Sequence, residues 1–453
     1  MIQIPRRWLV VLFAAGVLLP ACSGNGPYAV IFASPQLQVN QGPSFGEGAD
    51  PRVCCNGNTV YVVWEDDRNN PGGNEDVYFN CSLDGGTTWL AADIRVNQNG
   101  AGVSDSDNPQ ICCFGQNIYV VWGDNIDGPE NTYFNRSTDG GLTWQVSDTR
   151  LDVDSGGATD SSRPQICCDG LNVYAAWTED DAAIYVNASS DGGVSWFMDE
   201  VRVDLGVGNN ADGVKICCNG TTAYAAWRAE DPVSLICASV STDGGATWGN
   251  ETALNPLNND VDRPEICCDG QNVYVTWDAD SEQDVYLNSS LNGGASWQAF
   301  EKRLNTDPIG NAESADPTIC CDGLNVYVAW EDSRVGEEKI YSNRSIDGGL
   351  SWEASDIRID DNAAKADNCV ICCEGGTVHI AWIDERLDPN DDVYYSYSND
   401  GGLTWFANVR VDNDAPGATD PNQPRICCGS GTVYVVWSLD NPTGPIYMSR
   451  GTP

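Results

Sequence analysis

Two adjacent cysteines recur eight times in this 453-residue chain, at separations of 50 to 58 residues. The pairs are Cys54/Cys55, Cys112/Cys113, Cys167/Cys168, Cys217/Cys218, Cys267/Cys268, Cys320/Cys321, Cys372/Cys373 and Cys427/Cys428. A turn follows each pair, then an apolar run ending in Trp, as in ICCDGLNVYVAW (319–330). Next come an acidic loop and a short strand such as DVYFN (76–80). A box of pattern S-x-D/N-G-G-x-T/S-W and a strand such as DIRVN (93–97) complete the unit. The boxes start at Ser82, Ser137, Ser189, Ser241, Ser290, Ser345 and Ser398. Of the sixteen tryptophans, eight end the apolar runs and seven end the boxes, which fixes the register. A unit of this size cannot bury an apolar face alone and must stack on its neighbours.

Each unit offers four strands: A (PQICC), B (VYVVW), C (DVYFN) and D (DIRVN). Four strands per ~50 residues match a propeller blade. Strand B is apolar on both faces: Tyr61 and Val63 point one way, Val62 and Trp64 the other. The eighth unit stops after strand C, at Ile446–Ser449, and the chain carries a spare D-like strand, Leu37–Asn40, ahead of the first A. The predicted fold is all-β, an eight-bladed propeller of four-stranded blades. The N-terminal strand completes the last blade and hides both sheet edges. The propeller spans 36–453.

Ahead of it, Arg6 and Arg7 precede an apolar run, Trp8–Leu19, too short for a comfortable membrane span. The sequence Leu19-Pro20-Ala21-Cys22 resembles a bacterial lipoprotein signal, with Cys22 as the lipidated residue. Residues 1–21 then read as signal and 22–35 as tether, and the expected location is the cell envelope, with the lipid as the only membrane contact. Twenty cysteines in all favour an oxidising compartment. The chain has 66 Asp plus Glu against 23 Lys plus Arg, a net charge of −43. Such a surface repels phosphate backbones, which excludes nucleic acid as a partner and favours cations or basic partners. The single histidine, His379, stands where sister units have Tyr, so a Ser-His-Asp triad or a His-based zinc site has little to build on.

Seven copies of the S-x-D-G-G-x-T-W box resemble the Asp-box of the sialidase-type (BNR) propellers, over residues 36–453. In the box an Asp accepts backbone N–H groups across a tight turn and the Gly pair supplies positive φ. The resemblance places the box on the C–D turn, away from the substrate rim. It also implies three substrate-binding arginines, a Tyr/Glu nucleophile pair and an Asp acid/base. Arg52 (PRVCC) and Arg425 (PRICC) occupy places comparable to the family's R-I-P arginine, with Cys where that motif has Pro. Asp66, with Arg68 beside it, is the candidate acid. No Tyr/Glu pair stands out, because the blades look nearly equivalent.

On the opposite rim, Trp-x-Asp-x-Arg supplies Asp66 and Arg68, Asp332 and Arg334, Asp384 and Arg386, while Asp124 keeps the Asp alone. These side chains either order their loops as ion pairs or form a ligand-binding rim. Two D–A loops carry D-x-D followed by Gly and a further Asp: Asp152, Asp154 and Asp160; Asp412, Asp414 and Asp420. Carboxylates at alternate positions suit a hard cation such as Ca²⁺. The cysteine pairs admit inter-blade disulfides, first Cys of one pair to the second of the next, such as Cys54 with Cys113 or Cys55 with Cys112, because adjacent strand residues face opposite neighbours. They also admit bridges within each pair at the turn, although ~3.8 Å between Cα atoms makes that ring strained. Free or metal-bound thiols are the third state. Cys81, Cys237 and Cys369 fall outside the pattern. The leading functional expectation is a non-catalytic, surface-anchored propeller binding glycan or protein through its acidic rim. The alternatives are a sialidase-type exo-glycosidase and a passive envelope scaffold.

Overall fold

A computed structural model describes residues 32, 36–42, 46, 48–153, 159–206, 209–230, 233–256, 260–386, 390–413, 419–439 and 444–452. Cys22, most of the signal and tether, Asp154 and Asp414 lie outside the described residues. The described residues form eight four-stranded antiparallel sheets and no helix. Blade one comprises A (Gly48–Asn56), B (Thr59–Asp66), C (Asp76–Ser82) and D (Ile94–Arg95). The next six repeat that order. Blade eight takes A, B and C from Pro421–Gly429, Thr432–Leu439 and Ile446–Gly451, and its fourth strand is Leu37–Gln38. Leu37 pairs with Met448 and Gln38 with Tyr447, so the ring closes as the sequence predicts.

Strand B is the core of every blade because its alternation loads both faces. Tyr61 and Val63 pack with Ile118, Val120 and Trp122 of blade two. Val62 and Trp64 pack with Tyr434 and Val436 of blade eight. All eight strand-B tryptophans are fully buried, and truncating one to Ala would cost ~3–5 kcal/mol. The strand-B tyrosines also reach across the ring: the Tyr174 hydroxyl donates to the Gly220 carbonyl (3.0 Å) and Tyr274 to Gly323 (2.9 Å), each in the next blade's A–B turn. His379 takes that place in blade seven, against the Tyr395 hydroxyl, and burial holds its pKa down to about 4. It is a core residue, not a catalytic base.

Strand D is short, so a side chain extends its pairing. The buried Asn97 accepts the backbone N–H of Val77 (3.1 Å), and Asp152 does the same for Thr132 (3.2 Å) and Asp412 for Val393 (3.1 Å). In blade eight Asn40 accepts from Ile446 (3.0 Å). The spare N-terminal strand thus carries the same clasp as the D strands it replaces.

The boxes form the turns between C and D. In the first, Ser82 Oγ donates to Asp84 Oδ1 (2.8 Å) and accepts from the Gly86 amide (2.7 Å), while Thr88 donates its amide and hydroxyl to Asp84 (2.8 Å each). Gly245, with φ of +88°, shows why the second position is Gly: a Cβ there would lie 2.5 Å from the Cβ of Ala188 in the preceding blade. Asn292 replaces Asp in the fifth box and keeps both acceptor contacts, from Ser290 and the Ser296 amide (2.9 Å each).

Candidate functional site

Strand A runs from the D–A loop down to the cysteines, and in all eight blades its upper half carries a bulge. The pairing with strand B skips between Ala49 and Arg52, between Ser162 and Gln165, and at the matching points elsewhere. The bulged residue adopts a positive φ of 47–53°: Asp50, Asn108, Arg163, Arg263, Asp316, Asn368 and Gln423. Blade four has Gly213 there instead, at 64°. Such a conformation is uncommon for residues with a side chain, and bulges of this kind re-aim side chains and cluster at sites.

Five of these positions, Arg163, Gly213, Arg263, Asp316 and Asn368, and residues two further on, among them Arg52, Gln110, Gln165, Lys215, Glu265, Thr318 and Arg425, line an axial cavity of about 660 Å³. Here the blades are not equivalent. Blades eight, one and three contribute Arg425, Arg52 and Arg163, with Gln110 and Gln165 beside them. Blades four to six contribute Asp212, Asp262, Glu265, Asp316 and Glu331, with Lys215 and Arg263 among them. The sequence carried the signal: the residues flanking the proline of strand A vary from unit to unit while the rest of the unit repeats.

The cations of the mouth differ in how well they are neutralised. Lys215 pairs with Glu265 (2.7 Å), and Arg263 bridges Asp278 (2.9 Å) and Asp316 (3.0 Å). Arg52 holds both oxygens of Asp50 (2.6 and 2.9 Å). Arg425 reaches only the edge of the same carboxylate (3.4 Å) and the Pro424 carbonyl (2.9 Å). Burial, with Arg52 as a like charge nearby, holds the Arg425 pKa down to about 10. Arg163 is exposed at the mouth. On the acidic side, burial and Asp316 push Glu331 up to about 8, with one oxygen accepting the Asn368 amide (2.7 Å).

The Trp-x-Asp-x-Arg residues do not reach this cavity. Asp66 is fully buried. It accepts the Trp64 indole N–H (3.1 Å) and two bonds from Arg68 (2.9 and 2.5 Å), which also reaches Asp93 (2.8 Å) and stacks on Tyr78 (4.0 Å). Arg334 repeats the arrangement with Asp332, Asp356 and Tyr341; Arg386 keeps Asp384 and Tyr394, but Asn408 stands in the place of Asp93 (3.2 Å) and the second carboxylate is the exposed Asp361 of blade six (2.7 Å). Asp124, without an arginine, takes Ser106 Oγ (2.6 Å), Asn99 (2.9 Å) and the Ile126 amide (2.9 Å). In blades three, four, five and eight, which have no Asp two residues on, the strand-B indole N–H has no acceptor. This is the geometry of an ion pair that orders the loop. Of the catalytic candidates, Arg52 and Arg425 meet at Asp50; Asp66 and Arg68 lie inside the blade.

The first Asp of each D-x-D, the one described, is also committed. Asp152 is fully buried and takes two bonds from Arg150 (3.1 and 2.9 Å) and one from Ser161 (3.2 Å). Asp412 is gripped by Arg410 (3.0 and 2.8 Å), and burial raises its pKa to about 7. Asp160 and Asp420 are exposed. No cluster of three or more candidate metal ligands occurs among the described residues.

No family model matches this chain, and no curated protein does. Among solved structures it is similar to the polysaccharide lyase Uly1, with a TM-score of 0.50 and 7% identity over 79% of this chain and 92% of that one. It is also similar to a protein of unknown function from Dyadobacter fermentans (TM-score 0.47, 13% identity, 92% and 98% covered). The NanB sialidase from Streptococcus pneumoniae is a third (0.40, 12%, 92% and 70%). At these identities the likeness is one of fold, and fold alone does not fix function.

Proposed function

We propose that this protein is a glycan-binding propeller of the bacterial envelope that takes an acidic carbohydrate in its axial mouth. The supporting observation is Arg425, which shares one carboxylate with Arg52 in a chain otherwise far richer in acid. A ligand carboxylate or sulfate would supply the missing counter-charge, in bidentate fashion. Arg163 extends this basic arc, Gln110 and Gln165 offer amides, and the carboxylates opposite would accept sugar hydroxyls. The ligand surface is then the polarised mouth rather than the acidic rim.

Binding without turnover is favoured because no tyrosine lines the cavity among the described residues and Asp66 is sealed inside its blade. A catalytic reading rests on Glu331, which keeps its proton near neutral pH and faces the cavity, as an acid catalyst would. Titration calorimetry with a polyuronate, a sialoside and a neutral glycan separates these readings. Acidic glycans should bind with salt-sensitive affinity that falls at least tenfold in Arg425→Ala. Equal binding of neutral and acidic glycans, or an unaffected Arg425→Ala, would sink the proposal. Release of sugar or of new chain ends, lost in Glu331→Gln, would establish the catalytic reading.

A further inference from the structure

The cysteine pairs lie within strand A, not on the turn that follows it. Cys54 stands opposite Tyr61 and Cys55 opposite Val60, and the positive-φ turn residue is Gly57. The strand is therefore extended through both residues, and their side chains face opposite neighbours. Cys217 is bonded to Cys268 of the next blade, with Cα atoms 6.1 Å apart, inside the usual ~4.4–6.8 Å range. The remaining strand-A thiols meet in the same register, first Cys to the next blade's second, within hydrogen-bonding reach. Cys54 meets Cys113, Cys112 meets Cys168, and Cys167 meets Cys218. Cys267 meets Cys321, Cys320 meets Cys373, and Cys372 meets Cys428. Finally Cys427 meets Cys55, from the last blade back to the first.

We propose that the other seven contacts also oxidise, so that eight inter-blade disulfides form one covalent hoop around the axis. Each bridge enters a blade at one cysteine, crosses the peptide bond to its neighbour and leaves by the next bridge. The path returns to its start without using any loop. In each step two S–H bonds break and one S–S bond forms. The two electrons and two protons pass to the disulfide of a thiol–disulfide oxidoreductase, or of oxidised glutathione, which becomes two thiols. Closure of the ring, which otherwise rests on one hydrogen-bonded N-terminal strand, becomes covalent. A loop cut by a protease in the envelope would then release no blade. Cys81, Cys237 and Cys369 are buried away from this register and remain thiols.

The test uses the full chain folded in a glutathione redox buffer, alkylated without reductant, digested and analysed by mass spectrometry. The expected result is eight inter-blade linked peptide pairs, Cys55–Cys427 among them, and, before alkylation, an intact mass about 16 Da below the reduced chain, two hydrogens per bridge. Single peptides lighter by the two hydrogens of one bridge, each holding one Cys-Cys, would overturn the proposal, and so would alkylated strand-A cysteines. The hoop itself is read by nicking exposed loops such as 69–73 with a broad-specificity protease. Under denaturing, non-reducing conditions the nicked chain should migrate as one species and fall apart on reduction. Fragments that separate without reductant would refute the hoop.

Discussion

The side chain of Asn40 accepts the backbone N–H of Ile446 at 3.0 Å, across 406 residues of sequence. Its Nδ2 lies over the Gly444 carbonyl, and Val39 beside it donates its amide to the Ile446 carbonyl (2.7 Å). One short segment thus seals the last blade.

Deleting residues 36–41 should lower the thermal midpoint sharply, because it strips the outer edge of blade eight and uncovers Met448 and Ile446. Asn40→Ala should cost ~1–3 kcal/mol, the penalty of a buried N–H left without its acceptor. Denaturant melts of both variants under reducing conditions check this. A deletion as stable as the parent would contradict the closure.

The loop arginines and the mouth arginines should separate cleanly by phenotype. Arg334→Ala leaves Asp332 and Asp356, 0% and 2% exposed, without their shared cation. A cost of ~3–5 kcal/mol is expected for that loss, with glycan affinity unchanged in the folded fraction. Arg163→Ala, at an exposed position, should leave the melting temperature alone and weaken binding of an acidic glycan. The opposite pattern would move the ligand to the outer rim.

Stability should fall as pH rises from about 5 to about 8. Burial and neighbouring acids raise Glu65 and Glu130 to about 7, and Glu75 and Glu331 to about 8, from an ordinary value of 4.5. In that window the folded chain keeps protons that the unfolded chain has lost, so each unit of pH favours unfolding. Asp278 and Asp412, raised to about 7, and Asp391, raised to about 6, act the same way, and His379, lowered to about 4, opposes the trend as a single group. Below about pH 4 the sign reverses, because hydrogen bonds from Ser195 hold Asp191 down to about 2 and its protonation weakens them without opening the turn. Thermal melts from pH 3 to 9 should therefore peak at about pH 5. A maximum above pH 7 would contradict the buried-acid argument.

Asp191→Asn should be tolerated and Asp191→Ala should not, since Asn292 already closes the fifth box with an amide. There Oδ1 accepts from Ser290 and the Ser296 amide, and Nδ2 donates to Ser296 Oγ (2.8 Å). Only the alanine variant loses every contact. Parallel melts at pH 7 compare them; equal loss in both would show that the charge, not the turn, matters.

Blade number, strand order, the two-faced core strand and the identity of the closing segment were all legible in the sequence. Each follows from a local pattern repeated every ~50 residues: alternation that loads both faces of strand B, a Gly pair that forces the turn, and one strand too many at the start for one too few at the end. The mouth was not legible in the same way. Arg52 and Arg425 are 373 residues apart and meet at Asp50 only because the ring closes. The bulges that turn Asp50, Arg163 and Arg263 toward the axis depend on pairing with strand B, which periodicity does not report. The same holds for Asp66 and Arg68, whose spacing read first as a loop-ordering ion pair and second as a ligand rim; their burial and the contact of Arg68 with Asp93 appear only in the fold. Repetition fixes what every blade shares, because local sequence suffices to build it. What differs between blades acquires meaning only when the fold brings eight distant positions to one axis.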